Sequence, residues 1–235
     1  MQATVCPHDT AKGLTSWIEF FVVLGAVSKE EIGFLPAQDF PEFYRLWPQV
    51  DLVYASPLDA LRLEEEHGFL PLAGNDRYDE VVLLVREGVP PRLESFGGAR
   101  VGAVPDTFAA LLGQELLRKS GVRPSELVPF GSWNEVLAAL RKGQITHAFL
   151  YRDYYEELSP VSLEGTTPVL VSETRRFSHV FLLSPRQAGK KEALLSALLA
   201  LPEHPMGRPV LEELGIGRFY PVDSTRMIRE LVTSG

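Results

Sequence analysis

Along the chain, short continuous apolar runs alternate with segments in which apolar residues recur every three or four positions. The first pattern predicts buried strands and the second amphipathic helices, so their alternation predicts an α/β architecture. ATVCP is followed by a helical LTSWIEFFVVLG, and DLVYA by PLDALRLEEEHG. Ser56-Pro57 separates that second pair: serine at an N-cap and proline at the first helical position mark a helix start, and Asp59 adds an acceptor in the first turn. EVVLLVREG and ARVGAVP read as further strands, the latter leading into DTFAALLGQELLRKSG, a helix ended by Gly121. SWNEVLAALRKG is a helix with a capping box, Ser132 and Glu135, closed by glycine. THAFLY predicts a strand and RDYYEEL a helical turn. RFSHVFLLSP predicts a long strand, and the remaining C-terminal segment reads as helical.

The pattern also divides the chain. Two breaks, EGVPPRLESFGG (87–98) and SPVSLEGTTP (159–168), bracket a middle segment with its own β-α-α-β order. A segment inserted into a chain whose ends pack together predicts two lobes joined by two crossovers. The first lobe is expected over 1–88 and 176–235 and the second over 89–175, with crossovers near Glu87–Pro91 and Thr174–Ser178. Ligands of open α/β sheets lie beyond the C-terminal ends of strands, so the expected ligand site is a cleft between the lobes.

Composition narrows the class. The 235 residues are 45% hydrophobic and 23% charged, as in ordinary globular proteins, and long enough for one large or two small domains. A net charge of -8 argues against a nucleic-acid partner, although a local site can still be positive. Cys6 is the one cysteine, which rules out an intramolecular disulfide and a CxxC motif. The longest apolar runs read as too short or too interrupted for a membrane span, and the N-terminal stretch lacks the basic-then-apolar order of a leader. Two compartments stay open: extracytoplasmic if a leader was removed, cytoplasmic if Met1 is the native start.

Four junctions at strand ends carry chemistry: CPHDTAKG with Thr10, YASP with Tyr54 and Ser56, VPDTF with Thr107 and Phe108, and YRDYY with Tyr151 and Asp153. Hydroxyls and backbone N–H groups at helix N-termini favour negative charge, which makes an anion the expected guest. Each cap taken singly is explained by its own helix, which it stabilises by ~1 kcal/mol. Asp106 would compete with an anion at its junction. Nucleophile, phosphate-loop and zinc motifs are absent, and no His, Cys and carboxylate trio has metal-site spacing, so neither metal nor cofactor is expected. Cys6 shares a strand face with His8 but has no orienting third group there, and a structural, half-buried thiol is expected. His147 and His179 lie in strand patterns, where a hydrogen-bonded histidine is expected rather than a metal ligand.

Together these stretches resemble the phosphonate-binding (PhnD-like) group of periplasmic solute-binding proteins. The matching segments include DFPEFYRLWPQVDLVYASPLDALRL, ARVGAVPDTFAALLGQELLRKSGV, SWNEVLAALRKGQITHAFLYRDYYEEL and the tail GRPVLEELGIGRFYPVD, in the family's order over nearly the whole chain. The resemblance implies the type II two-lobed fold with a hinge of two crossovers. It implies capture of a phosphonate, phosphate or related oxyanion without chemistry, for an ABC permease. In the family an oxyanion sits at a Ser/Thr-rich turn opening a helix of the second lobe. The matching turn here, PDTFA, has the single hydroxyl Thr107 and an aspartate, and the family's acidic residue before the fourth junction is replaced by Thr146-His147. The expected contacts are Thr10, Tyr54 and Ser56 from the first lobe and Thr107, Phe108, Tyr151 and Asp153 from the second. His179 donates to the ligand or braces the hinge. Two other classes share this fold: a sensing module read by a signalling partner such as a sensor kinase, and a small-acid enzyme using His8, His147 or His179 as base.

Overall fold

The computed structural model describes residues 1–232. From the N-terminus the chain runs β1 (Gln2–Val5), α1 (Pro7–Ser28), β2 (Gly33–Phe34), α2 (Phe40–Leu46), β3 (Leu52–Ala55), α3 (Pro57–His67) and β4 (Leu70–Asn75). It continues with β5 (Val81–Arg86), β6 (Arg100–Ala103), α4 (Phe108–Lys119), β7 (Glu126–Pro129), α5 (Trp133–Lys142), β8 (His147–Tyr151), α6 (Arg152–Glu156) and β9 (Thr166–Val171). Last come β10 (Val180–Leu183), α7 (Lys191–Ala200), α8 (Gly207–Leu214), β11 (Phe219–Pro221) and the short α9 (Arg229–Val232).

These elements fall into two units. The first holds Met1–Tyr78 and Phe177–Ile228, and the second holds Asp79–Arg176 together with α9. The chain changes unit between Tyr78 and Asp79 and again between Arg176 and Phe177. The EGVPPRLESFGG break is a connection inside the second unit, between β5 and β6.

The first unit is built on a six-stranded sheet of order β11-β4-β10-β3-β1-β2. β1, β2 and β3 are parallel, while β10 runs antiparallel to both β3 and β4. Alternation in β3 sends Leu52 and Tyr54 to one face and Val53 and Ala55 to the other, and both faces are covered. Leu52 and Tyr54 meet Trp17, Phe20, Phe21 and Leu24 of α1, with residues of α7 and α8. Val53 and Ala55 meet Phe43 of α2 and Ala60 and Leu63 of α3. Helix α1 is kinked at Gly13, whose φ of -154° and ψ of 52° are not helical. By length and composition alone α1 is long enough and apolar enough to cross a membrane, because the helix extends beyond the apolar run WIEFFVVLGAV at both ends. Its Trp17, Phe20, Phe21 and Leu24 are nonetheless the centre of the unit's core.

The second unit has a five-stranded sheet, β7-β6-β8-β5-β9, with β6 parallel to β7 and β8 and with β5 antiparallel to β8 and β9. Val81–Val85 are all buried because helices cover both faces of β5. α5 brings Val136, Leu137 and Leu140 onto Val82, Leu84 and Leu150. α4 packs on β5 and β8, with Gly113 directly against the Phe149 ring, where a Cβ would lie 2.8 Å from it.

Several expectations shift. The RFSHVFLLSP strand is only Val180–Leu183, preceded by an isolated bridge between Tyr78 and Ser178 and ended when Ser184 accepts from the Arg186 N–H. The junction CPHDTAKG is helical from Pro7 onward, so α1 begins before the expected LTSWIEFFVVLG. The C-terminal segment is not wholly helical, since β11 closes one edge of the first sheet. Strands β2, β4, β7 and β9 were not expected either.

Candidate functional site

In the first unit the site grows from two neighbouring junctions with one design. β1 and β3 pair in parallel with Val5 opposite Tyr54, and the Cys6 N–H donates to Tyr54 O at 2.9 Å. Each strand ends in an N-cap residue followed by proline, Cys6-Pro7 and Ser56-Pro57. Proline costs nothing at that position because its missing N–H would have had no helical acceptor. Ser56 caps α3, its Oγ accepting from the Asp59 N–H at 3.5 Å. The Cys6 side chain makes no cap bond, and the thiol turns instead toward His179, with which it is hydrogen-bonded.

His179 arrives just before β10, which places its ring at the same sheet edge. Its Nε2 lies 3.2 Å from Asp9 Oδ2, and Asp9 Oδ1 accepts from Arg77 Nη2 at 2.9 Å. The His179 ring rests against Tyr54, with centroids 5.1 Å apart. Tyr54 Oη accepts from Asn75 Nδ2 at 2.9 Å, and Asn75 Oδ1 accepts from the Arg77 N–H. Cys6, Asp9, Tyr54, Asn75 and His179 are all buried, so this is a connected interior network. Cys6, Asp9 and His179 each offer a donor atom, and these atoms all lie within 4.8 Å of one another.

Burial dominates the electrostatics. It pushes the Cys6 thiol above its ordinary range, and the hydrogen bond from His179 offsets only part of that. It raises the Asp59 carboxyl to about 6, partly offset by Arg62, whose Nη1 is 3.3 Å from Asp59 Oδ1. Tyr44 is pushed up to about 12, by burial first and by Asp59 second.

In the second unit, β6 and β8 are parallel and end at the same sheet edge. After β6 the chain turns through Asp106, whose φ of 56° lies in the left-handed region, and Thr107 caps α4. Thr107 Oγ1 accepts from the Ala110 N–H at 3.3 Å and donates to Val104 O at 2.8 Å. Phe108 is buried in the first turn. At the end of β8, Tyr151 Oη donates to Asp79 Oδ1 at 2.7 Å, and its ring lies 5.3 Å from Trp133. Asp153 is half-buried in the five-residue α6.

The expected residues thus fall into distinct local settings. Tyr54 and His179 are in contact, and Ser56 sits at the junction beside Cys6. Thr10 is one turn into α1, and its hydroxyl is turned back onto Val5 O and Cys6 O, at 3.1 and 3.2 Å. Thr107 and Phe108 share one junction of the second unit, and Tyr151 and Asp153 share its neighbour. His147 is a core histidine: its ring nitrogens bond Thr146 and Ser95, and burial holds it below the usual histidine range. Cys6 is fully rather than half buried, and its partner is His179, not His8. Asp9, Asn75 and Arg77 escaped the sequence reading. Asp9 belonged to a quoted motif, but nothing in linear spacing connects it to His179.

The chain was compared with known proteins. The profile of a family described as "ABC transporter, phosphonate, periplasmic substrate-binding protein" matches residues 4–226. A search of curated proteins finds no match. Among solved structures, the fold is similar to PhnD1 of Prochlorococcus marinus in complex with methylphosphonate, at 15% identity and TM-score 0.77, covering 100% of this chain and 97% of that one. It is also similar to a binding-protein component of an ABC phosphonate transporter from Pseudomonas aeruginosa, at 13% identity and TM-score 0.76, covering 99% and 85%. The periplasmic aliphatic sulphonate binding protein SsuA of Escherichia coli aligns at 13% identity and TM-score 0.66, covering 100% and 86%.

Proposed function

The chain belongs to the phosphonate family of periplasmic substrate-binding proteins of ABC transporters, a binding protein and not an enzyme, and from that premise we propose that its ligand is a small phosphonate or related oxyanion. The observation that carries the ligand class is the α4 N-terminus. A twelve-residue helix opens at a sheet edge with a hydroxyl cap, and the N–H groups of its first turn have no acceptor within the helix. Thr107 is the anchor we assign to the oxyanion, with Phe108, Tyr151 and Asp153 as neighbouring contacts of the second unit. Thr10, Tyr54, Ser56 and His179 are the contacts we assign to the first. The departures in PDTFA, one hydroxyl and an exposed aspartate in the left-handed region, bring no positive charge to this turn and so disfavour a second negative charge on the ligand. A monoanionic phosphonate ester or a hydrogen-phosphonate meets that condition best.

The working partner is the membrane permease of the same transporter. We place the protein on the extracytoplasmic side, where the family works. Calorimetric titration against methylphosphonate, phosphonate monoesters, phosphite, phosphate, sulfate and alkylsulphonates tests this reading. Binding by the monoanions ahead of phosphate and sulfate is expected on charge, and by the phosphonate monoesters ahead of the alkylsulphonates from the family. Thr107→Ala should weaken the best ligand by about 5- to 10-fold, since the hydroxyl must turn from Val104 O to reach the anion and only the difference between a charged and a neutral hydrogen bond, about 1–1.5 kcal/mol, is gained. Preference for an alkylsulphonate, or an unchanged affinity in Thr107→Ala, would overturn the assignment.

A further inference from the structure

Of the Cys6, Asp9 and His179 cluster only His179 is assigned to the oxyanion, since Cys6 and Asp9 carry or develop negative charge. We propose that the cluster is a binding site for one thiophilic d10 divalent cation, of which Zn2+ is the physiological case. The three donor atoms lie within 4.8 Å of one another, and all three residues are buried. Their chemistry is a thiol, an imidazole and a carboxylate, the mixed set that zinc accepts and that magnesium or calcium does not.

The geometry supports a tetrahedral ion. His179 Nε2 and Asp9 Oδ2 are 3.2 Å apart. That is close to the edge of a tetrahedron with bonds of about 2.0–2.1 Å, which is roughly 3.3–3.4 Å. The Sγ lies within 4.8 Å of both atoms, and a shift of about 1 Å brings it to the roughly 3.5 Å sulfur-to-nitrogen edge of such a tetrahedron. On binding, the ion displaces the thiol proton to solvent and takes the sulfur lone pair, leaving the fourth position to water or a small ligand.

The ligands are already held by outer partners. Arg77 occupies Asp9 Oδ1 and leaves Oδ2 facing His179. The His179 ring is braced by Tyr54, and its backbone carbonyl accepts from Asn75 Nδ2 at 3.3 Å. Such outer contacts fix the orientation of metal-binding side chains and raise affinity. Two ligands come from one strand-to-helix junction and the third from across the sheet. The site therefore ties α1 to β10.

The test needs no phosphonate, so its outcome is independent of the proposed ligand. Full-length protein is stripped with a chelator and titrated with Co2+, which reports thiolate coordination as a near-ultraviolet charge-transfer band. Cys6 is the chain's one cysteine, so that band in the wild type assigns the sulfur without any variant. A band saturating at about one Co2+ per chain, and bleached by Zn2+, is expected. In Cys6→Ser the band is lost, and in His179→Gln the ion binds at least tenfold more weakly. Cobalt uptake without the band, or no uptake at all, would overturn the site. So would a rise in melting temperature with Zn2+ that is as large in His179→Gln as in the wild type.

Discussion

Asp59 shows how much a single residue can set. It stands in the first turn of α3 with only 3% of its surface exposed, and burial lifts its carboxyl from 3.8 to about 6. Between those values the folded chain binds more protons than the unfolded one, so this group makes stability fall as pH rises from about 4 to about 6 and level off above. Its full cost above that window is of order 3 kcal/mol. Asp59→Asn should remove this slope. Denaturation by urea at pH 4, 5, 6 and 7 is expected to show the variant gaining on the wild type by about 2–3 kcal/mol across the window, and parallel curves would refute the assignment. The N-terminal turn that holds Asp59 was readable in the sequence because Ser56, Pro57 and Asp59 act on one another locally. The network around Asp9 was not. Its members, Cys6, Asp9, Asn75, Arg77 and His179, meet only after β1, β4 and β10 have taken their places in the sheet.

At the scale of elements, the strands that escaped the sequence pattern have a common cause. β4, β7, β9 and β11 each contain a proline, at Pro71, Pro129, Pro168 and Pro221, and β2 has two residues. Proline argues against a strand because it cannot donate to the ladder, but an edge leaves that donor unneeded. β7 and β9 are the two edges of their sheet, and β11 is an edge of the other. β4 is interior, and there the pairing with β10 shifts register between Phe181 and Leu182, next to Pro71. Helix ends were read more reliably, since caps are local chemistry. Ser132 accepts from the Glu135 N–H at 3.2 Å, while Glu135 Oε2 reaches one residue further back, to the Gly131 N–H, at 2.8 Å. Ser132→Ala should cost about 1 kcal/mol in chemical denaturation, and a loss within error of zero would show the Glu135 contact to suffice. Gly207 opens α8 against the preceding turn, where a Cβ would lie 2.2 Å from Leu201 O. Gly207→Ala must displace backbone, and a destabilisation of about 1–3 kcal/mol is expected. A melting temperature equal to the wild type's would show that the turn yields freely.

At the scale of the molecule, the α/β class followed from alternating patterns, which need no knowledge of contacts, whereas the insertion was read from two breaks, 87–98 and 159–168, that both lie inside the second unit. The points where the chain passes between units escaped that reading. They lie at Tyr78–Asp79 and Arg176–Phe177, in segments without glycine and proline, whereas the conspicuous EGVPPRLESFGG is an internal loop. What marks the second passage is a buried carboxylate. Glu80 accepts from Ser172 Oγ, from Thr174 Oγ1 at 3.1 Å and from the Arg175 N–H at 2.7 Å, and Arg175 is held in the left-handed region at φ 50°. Glu80→Gln puts a donor against this ring of donors. It should destabilise the second unit by about 2–3 kcal/mol, read by hydrogen exchange in β5 and β9, and unchanged protection there would show that the ring carries no strain-bearing role.

The place of β10 between β3 and β4 has a consequence for the order in which the protein is made. A ribosome finishes β3 and β4 and then has roughly 100 residues to add before β10 exists. At about 5–20 residues per second that is a wait of ~5–20 s. Through it the apolar edges of β3 and β4 have no partner, while the whole of Asp79–Arg176 emerges as one continuous stretch. The inserted unit is thus free to fold while its host is still open, and the host closes last around a strand delivered late. Nascent chains long enough to release Arg176 from the ribosome should show protease resistance confined to the inserted unit, and only chains that also release α7, α8 and β11 should gain it in the host.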